Sequence, residues 1–176
     1  MQFKIRMVLA LCLTAIVAAA CASNGDIVIR SDPFAGPSKT FIRYLDPGHF
    51  TAVGMGVGGG KYNIQVLIAA QGQHGTVGQK GAEGLFKLGS ETLSLPAAAE
   101  AKPVHSVQSS ATQYAAHASV ATQWIVVFLM TPEQFRKFGE APLSAVQVTI
   151  GEVNPQLVLR ADDSAMIMKN AKIMAQ

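Results

Sequence analysis

Residues 124–130 read WIVVFLM, an uninterrupted run of seven apolar residues. The run is too short to cross a bilayer as a helix. Its length and its β-branched residues indicate a strand. Because neither face carries a polar side chain, we expect a central strand buried on both faces. The rest of the chain must then supply the sheet and the layers that cover it.

A helix start follows this strand directly. Thr131 is a suitable N-cap, Pro132 suits the first helical position, and Gln134 lies three residues after the cap. We expect Gly139 to end the helix within two turns. A second helix is predicted from about 165 to 175, capped by residues 162–164 (DDS). Its apolar face would comprise Ile167, Ala171 and Met174.

Upstream of the central run, two apolar segments at 50–57 and 62–70 flank consecutive glycines at 58–60, a pattern typical of a hairpin. A weaker hairpin is predicted at 86–95, and residues 104–122 read as strands of small residues. Further strands are predicted at 27–29, 39–45, 145–150 and 157–159. The predicted fold class is mainly β or α+β. It consists of an antiparallel sheet or sandwich with a short helix after the central strand and a C-terminal helix.

The N-terminus resembles a targeting signal. Lys4 and Arg6 precede an apolar run at 7–20, which is too short for a transmembrane helix and is typical of a cleaved signal peptide. We therefore divide the chain into a signal peptide at 1–20, a lipidated N-terminus with a short tether at 21–26, and a single β-rich periplasmic domain at 27–176. The tether would hold the domain close to the membrane surface.

Three alanines at 18–20 precede Cys21, and this stretch resembles the lipobox of bacterial lipoproteins. The resemblance implies that Cys21 is lipidated and that the lipid anchors the protein to the membrane. The alternative is secretion to the periplasm without lipid, because Ala18 and Ala20 also suit ordinary signal peptidase. Since Ala22 is not the Asp that favours inner-membrane retention in enteric bacteria, the expected location is the periplasmic face of the outer membrane.

The composition of the mature chain argues against nucleic-acid binding and against an internal disulfide. Removal of residues 1–20 leaves 12 basic and 11 acidic side chains. The basic residues are scattered, so nucleic-acid binding is not expected. Cys12 lies in the removed segment, which leaves Cys21 without a partner for an internal disulfide.

No motif for a reaction, a cofactor or a metal is present. Gly54, Gly56 and Gly59 fit a dinucleotide-binding string, but a second β-like run follows instead of the required helix. The four histidines are too far apart for a local metal-ligand pair, and no G-x-S-x-G motif occurs. We therefore expect no catalytic, cofactor or metal residue and no enzyme activity.

Glycines recur at every third position from 72 to 84, without the prolines that a collagen helix needs. We expect an exposed, mobile loop, which is a possible contact site for a partner. The residues proposed for this contact are Gly72, His74, Gly75, Gly78, Lys80, Gly81 and Gly84.

The leading hypothesis is a membrane-anchored, non-enzymatic envelope lipoprotein that acts as a structural or accessory partner of other envelope proteins. The alternative is a carrier of a small apolar ligand or lipid, with a cavity between the sheet and the C-terminal helix. An exposed apolar surface or an open edge strand favours the partner protein, and an enclosed apolar cavity favours the carrier.

The lipidation hypothesis predicts that Cys21→Ser abolishes incorporation of radiolabelled palmitate, because the thiol that receives the lipid is lost. Labelling is measured after expression of the full chain in a bacterial host, with the unchanged chain as the control. Continued labelling of the variant would contradict the assignment of Cys21.

Overall fold

The structure is a computed structural model that describes residues 24–32, 36–45, 50–72, 74–111 and 116–176. Cys21 and the predicted signal peptide lie outside the described residues. The strands, in chain order β1 to β10, are Val28–Asp32, Gly36–Tyr44, Phe50–Gly58, Lys61–Gln71, Ala82–Leu88, Glu91–Pro96, Pro103–Ala111, Ala116–Met130, Leu143–Ile150 and Gln156–Val158. The α-helices are α1 (Pro132–Glu140) and α2 (Ala161–Met174).

The strands form two antiparallel sheets. The larger sheet has the order β1-β2-β3-β4-β8-β7, and the smaller has the order β10-β9-β5-β6. Phe86 of β5 contacts Phe128 of β8 with ring centroids 5.3 Å apart, and Phe138 of α1 lies 5.9 Å from Phe86. The two sheets and the helices thus share one core, which confirms the predicted fold class.

The hairpin predicted around the consecutive glycines is confirmed as β3 and β4. Gly59 and Gly60 both adopt positive φ, at 56° and 71°, in the tight turn that joins these strands. Positive φ at both positions explains why glycines occupy them, since other residues are strained there. The small-residue stretch after Pro96 contains β7 and the first half of β8, which pair from Pro103–Trp124 to Ala111–Ala116.

The predicted central strand is confirmed as part of β8, but burial on both faces is wrong. Trp124, Val126 and Phe128 are at most 1% exposed, whereas Val127 is half-buried and Leu129 is 44% exposed. We call the side of the large sheet that carries Trp124, Val126 and Phe128 its inner face, and the side that carries Val127 and Leu129 its outer face. The small sheet and both helices lie on the inner side, so alternate residues of this strand contact different surroundings.

Helix α1 begins as predicted. The amide of Gln134 donates to Oγ1 of Thr131, and the amide of Thr131 donates to Oε1 of Gln134, which together form a capping box. Gly139 does not end the helix, which continues to Glu140. A Cβ on Gly139 would lie 2.9 Å from the backbone of Lys172, so this glycine permits the close approach of α1 and α2.

Helix α2 begins at Ala161, four residues before the predicted start, and Arg160 at its N-cap makes no side-chain cap. Asp163, expected in the cap, instead accepts a hydrogen bond of 2.5 Å from Nε of Arg43 on β2. The predicted apolar face is confirmed, because Ile167, Ala171 and Met174 are buried. A long-range ion pair thus replaces the expected local cap.

Two substitutions in adjacent residues test the assignment of faces. Val126→Asp places an unpaired carboxylate in the core and should lower the free energy of unfolding by about 3 kcal/mol or more. Val127→Asp lies on the half-buried outer face and should cost about 1 kcal/mol, mainly through lower strand propensity. Denaturant unfolding measures both values, and equal losses would contradict the assignment.

Candidate functional site

The glycine-periodic segment is only partly the loop that was predicted. Gly75 and Gly78 are exposed and have no atom within 4 Å of an added Cβ. Val77 forms an antiparallel bridge with Ala101, through hydrogen bonds of 3.1 and 2.9 Å in the two directions. Gly75, Thr76 and Gly78 therefore lie in an exposed loop, which Val77 attaches to the sandwich near its end.

The end of the predicted loop belongs to regular structure. Lys80, which is exposed, and Gly81 lie in a single 3-10 turn at Gln79–Gly81. Gly84 is a buried residue of β5, where an added Cβ would lie 2.7 Å from the ring of Phe86 and 2.8 Å from that of Phe128. The expectation of an exposed loop is wrong for Gly84, because the interlocking of these two rings leaves no space for a side chain.

A buried hydroxyl holds the base of this loop. Thr122 of β8 is 0% exposed, and its Oγ1 donates to the carbonyl of Gly72 at 2.6 Å. The same oxygen accepts from the amide of His74 at 3.2 Å and lies 3.0 Å from Nδ1 of His105 on β7. Thr122 thus joins the loop to both strands of the β7–β8 hairpin.

The hydrogen bonds assign roles to the two imidazoles. Because the Thr122 hydroxyl gives its proton to Gly72, its contact with His105 requires that Nδ1 of His105 be the donor. Nε2 of His74 lies 2.9 Å from the carbonyl of Gln71 and must also be a donor. Thr122 is fully buried, so its hydroxyl cannot meet a substrate as a nucleophile. The arrangement positions a loop, and its one hydroxyl is inaccessible.

The loop also covers the end of the core. The ring of His74 lies 5.4 Å from that of Trp124, measured between centroids, and the two planes are tilted by 52°. Trp124 is 1% exposed, and its Nε1 has no hydrogen-bond partner among the described residues. His74 is therefore part of the packing over Trp124. Among the residues proposed for partner contact and their neighbours, Gly75, Thr76, Gly78 and Lys80 are more exposed than His74.

A second feature is a groove of about 400 Å³ between the N-terminal segment and α2. Ile27, Met166 and Ile173 supply apolar walls, and Lys169 lies at the same groove. Its N-terminal wall is fixed because Nδ2 of Asn170 donates to the carbonyl of Gly25 at 2.6 Å. Gly25 has φ 97°, and an added Cβ would lie 2.1 Å from Sδ of Met166. A side chain at this position would be strained by the positive φ and would require the end of the Met166 side chain to move.

The outer face of the large sheet is the third feature. Cross-strand pairing places Leu67 beside Ile125, Gln65 beside Val127 and Asn63 beside Leu129. Tyr44 of β2 and Ala52 of β3 continue the row that contains Leu67. These pairs contain no charged residue, and Tyr44 and Leu129 are 43% and 44% exposed. Depletion of charge with retained apolar and aromatic side chains is typical of the core of a protein interface.

The described residues contain no group of three or more His, Cys, Asp or Glu side chains that could hold a metal ion. Within the same residues, no helix is both long enough and apolar enough to cross a membrane.

Sequence reasoning identified His74 and Lys80 but missed Thr122 and His105. The residues next to Thr122 in the sequence do not indicate that its hydroxyl forms hydrogen bonds, because the partners of that hydroxyl lie 17 to 50 residues away in the chain. The pairing of β4 with β8, which brings Gln71 opposite Ala121, places the loop beside Thr122.

Thr122→Val keeps the shape of the side chain and removes the hydroxyl. It should lower the free energy of unfolding by about 1 to 3 kcal/mol, because buried polar groups lose their partner. Hydrogen exchange of the His74 amide should become faster. Thr122→Ser is the matched control, since it keeps the hydroxyl and should preserve the protection of that amide. Equal protection in all three proteins would contradict the role of the hydroxyl.

Comparison with known proteins yields no match to any family model, curated protein or solved structure.

Proposed function

We propose that the protein is a membrane-anchored envelope lipoprotein whose β-sandwich acts as a non-enzymatic binding partner of another envelope protein. The observation that carries the proposal is the uncharged central part of the outer face, where β4 pairs with β8, together with the partly exposed side chains of Tyr44 and Leu129. Such a face favours contact with a protein over contact with water alone.

The packing of the interior supports this proposal over a carrier. Between the sheets, Phe41, Ile64, Phe86, Trp124 and Phe128 are at most 1% exposed and belong to one continuous core cluster. The space between the two sheets is therefore filled by side chains, and a carrier would bind where its cavity was predicted, between the sheet and the C-terminal helix. The groove beside α2 is open to solvent, and it is the observation that favours the carrier as the second candidate.

The start of the folded domain fits a short anchor. The amide of Tyr44 donates to Oδ1 of Asn24 at 2.7 Å, and the amide of Gly25 donates to the carbonyl of Ile42 at 2.9 Å. The chain is thus attached to β2 only three residues after Cys21. Three residues reach at most about 11 Å, so lipid on Cys21 would keep the sandwich near the membrane surface.

Photo-crosslinking in bacterial cells tests the partner proposal. A photoreactive residue at Leu129 should give an adduct with another envelope protein, because this position lies on the outer face. Adding Ile125→Lys should reduce the adduct at least fivefold with an unchanged melting temperature. The control places the same crosslinker at Val158 of β10, which is 73% exposed on the small sheet.

Equal adducts from both positions, or adducts formed only with the same chain, would contradict the proposal. The carrier makes a different prediction for the purified protein. A fluorescent fatty acid should then bind in the groove, and Ile173→Lys should abolish that binding while the crosslinks at Leu129 stay absent.

A further inference from the structure

Strand β7 is an open edge of the large sheet. Among the described residues, only β8 pairs with it. On its other side, the main-chain N–H and C=O groups of this nine-residue strand have no partner strand within the part of the chain that the structure describes. Natural edge strands are usually protected from further pairing by charged side chains, proline or a bulge. In β7, proline occurs only at the first position, and the register with β8 is regular throughout.

The hairpin that contains this edge lacks charge. Between Lys102 and Glu133 the sequence has no Asp, Glu, Lys or Arg. Both strands of the hairpin fall within this stretch. A second strand that approaches β7 would therefore meet no ionic repulsion from the hairpin itself, and it would not have to desolvate a charge.

The hairpin also extends past its neighbour in the sheet. Strand β4 ends at Gln71, opposite Ala121, whereas β7 and β8 continue to pair as far as Ala111 and Ala116. From Val107–Val120 onward, the last five pairs have no third strand beside them among the described residues, and at the first of these pairs the carbonyl of Val120 accepts from the amide of Gly72. A two-stranded ribbon is marginally stable in water, so this part gains most from additional pairing.

Pro103 indicates which residues direct their main-chain groups to the open edge. Proline lacks an N–H and is tolerated in a strand where its nitrogen faces away from the ladder. Alternate residues of a strand direct their N–H and C=O groups to the same side. His105, Val107 and Ser109 therefore share the outward direction of Pro103.

We propose that a second copy of this chain binds at the open edge of β7, with the two β7 strands antiparallel about a two-fold axis at Val107. Val107 then faces its equivalent in the second copy, and His105 faces Ser109. An antiparallel ladder over this overlap contains about eight main-chain hydrogen bonds, with one donor lost per copy at Pro103. The pairing is self-complementary, as a two-fold interface requires.

The uncharged composition of β7 favours a second copy of this chain as the strand that pairs with it. The same uncharged segment supplies both sides, so neither copy meets a charge that it cannot match. The axis lies perpendicular to the sheet, which makes the two large sheets continuous and places both outer faces on one side. The dimer would thereby present two equivalent binding faces, although its formation does not depend on the lipid anchor or on an envelope partner.

Sedimentation equilibrium of the purified full chain in density-matched detergent tests this inference. The unchanged chain should associate reversibly to a dimer. Val107→Lys should weaken association at least tenfold, because it introduces one like charge from each copy at the register position of the axis. Val158→Lys, in an edge strand of the small sheet, is the matched control and should leave association unchanged. Ser109→Lys, which also lies at the proposed interface, provides a second variant if Val107→Lys lowers the melting temperature.

Hydrogen exchange supplies the residue-level measurement. The amides of Val107 and Ser109 should be protected at high protein concentration and exchange faster on dilution. A monomer at all concentrations, or a dimer unaffected by both folded variants, would overturn the inference. Protection that does not depend on concentration would also overturn it, and would show that a segment of the same chain covers the edge.

Discussion

Burial of the inner face of β4 and β8 against the small sheet is the interaction on which the rest of the structure depends. Ile64 pairs with Phe128, and Val66 pairs with Val126. All four side chains are at most 1% exposed. The rings of Phe128 and Phe86 of the small sheet meet nearly perpendicular to each other, and buried Gly84 leaves room for both rings. This layer excludes water and requires each strand to present one apolar face.

The two ends of the described chain complete this core together. Helix α2 is connected to β2 by the ion pair of Arg43 with Asp163, and to the N-terminal segment by the hydrogen bond from Asn170 to Gly25. Asp163 is only 10% exposed at its side chain, so loss of Arg43 would leave a largely buried carboxylate unpaired. The start of the domain is thereby fixed to its last helix.

The surfaces proposed for binding are what the core arrangement leaves uncovered. Both helices and the small sheet lie on the inner side of the large sheet, which exposes part of the opposite face at Tyr44 and Leu129. The ends of the strands do not coincide, since β4 stops at Gln71 while the β7–β8 hairpin continues. One-sided covering thus leaves exposed the face for which a partner is proposed, and the place of β7 at the end of the sheet leaves the edge at which a second copy is proposed.

The sequence by itself determined the features that depend on neighbouring residues. These are the glycine turn between β3 and β4, the capping box at Thr131, the strand at Trp124 and the apolar face of α2. The tertiary structure decided which face of β8 is buried, that Gly84 lies in the core, and that Asp163 pairs with Arg43 instead of capping a helix. It also assembled His74, His105 and Thr122 around one hydroxyl. The hydrogen bonds that tertiary structure adds join residues far apart in the chain. His105 and Thr122 are 17 positions apart, and Gly25 and Asn170 are 145 positions apart. Local composition carries no information about such pairing, because the sheet register and the packing of the second layer bring these residues together.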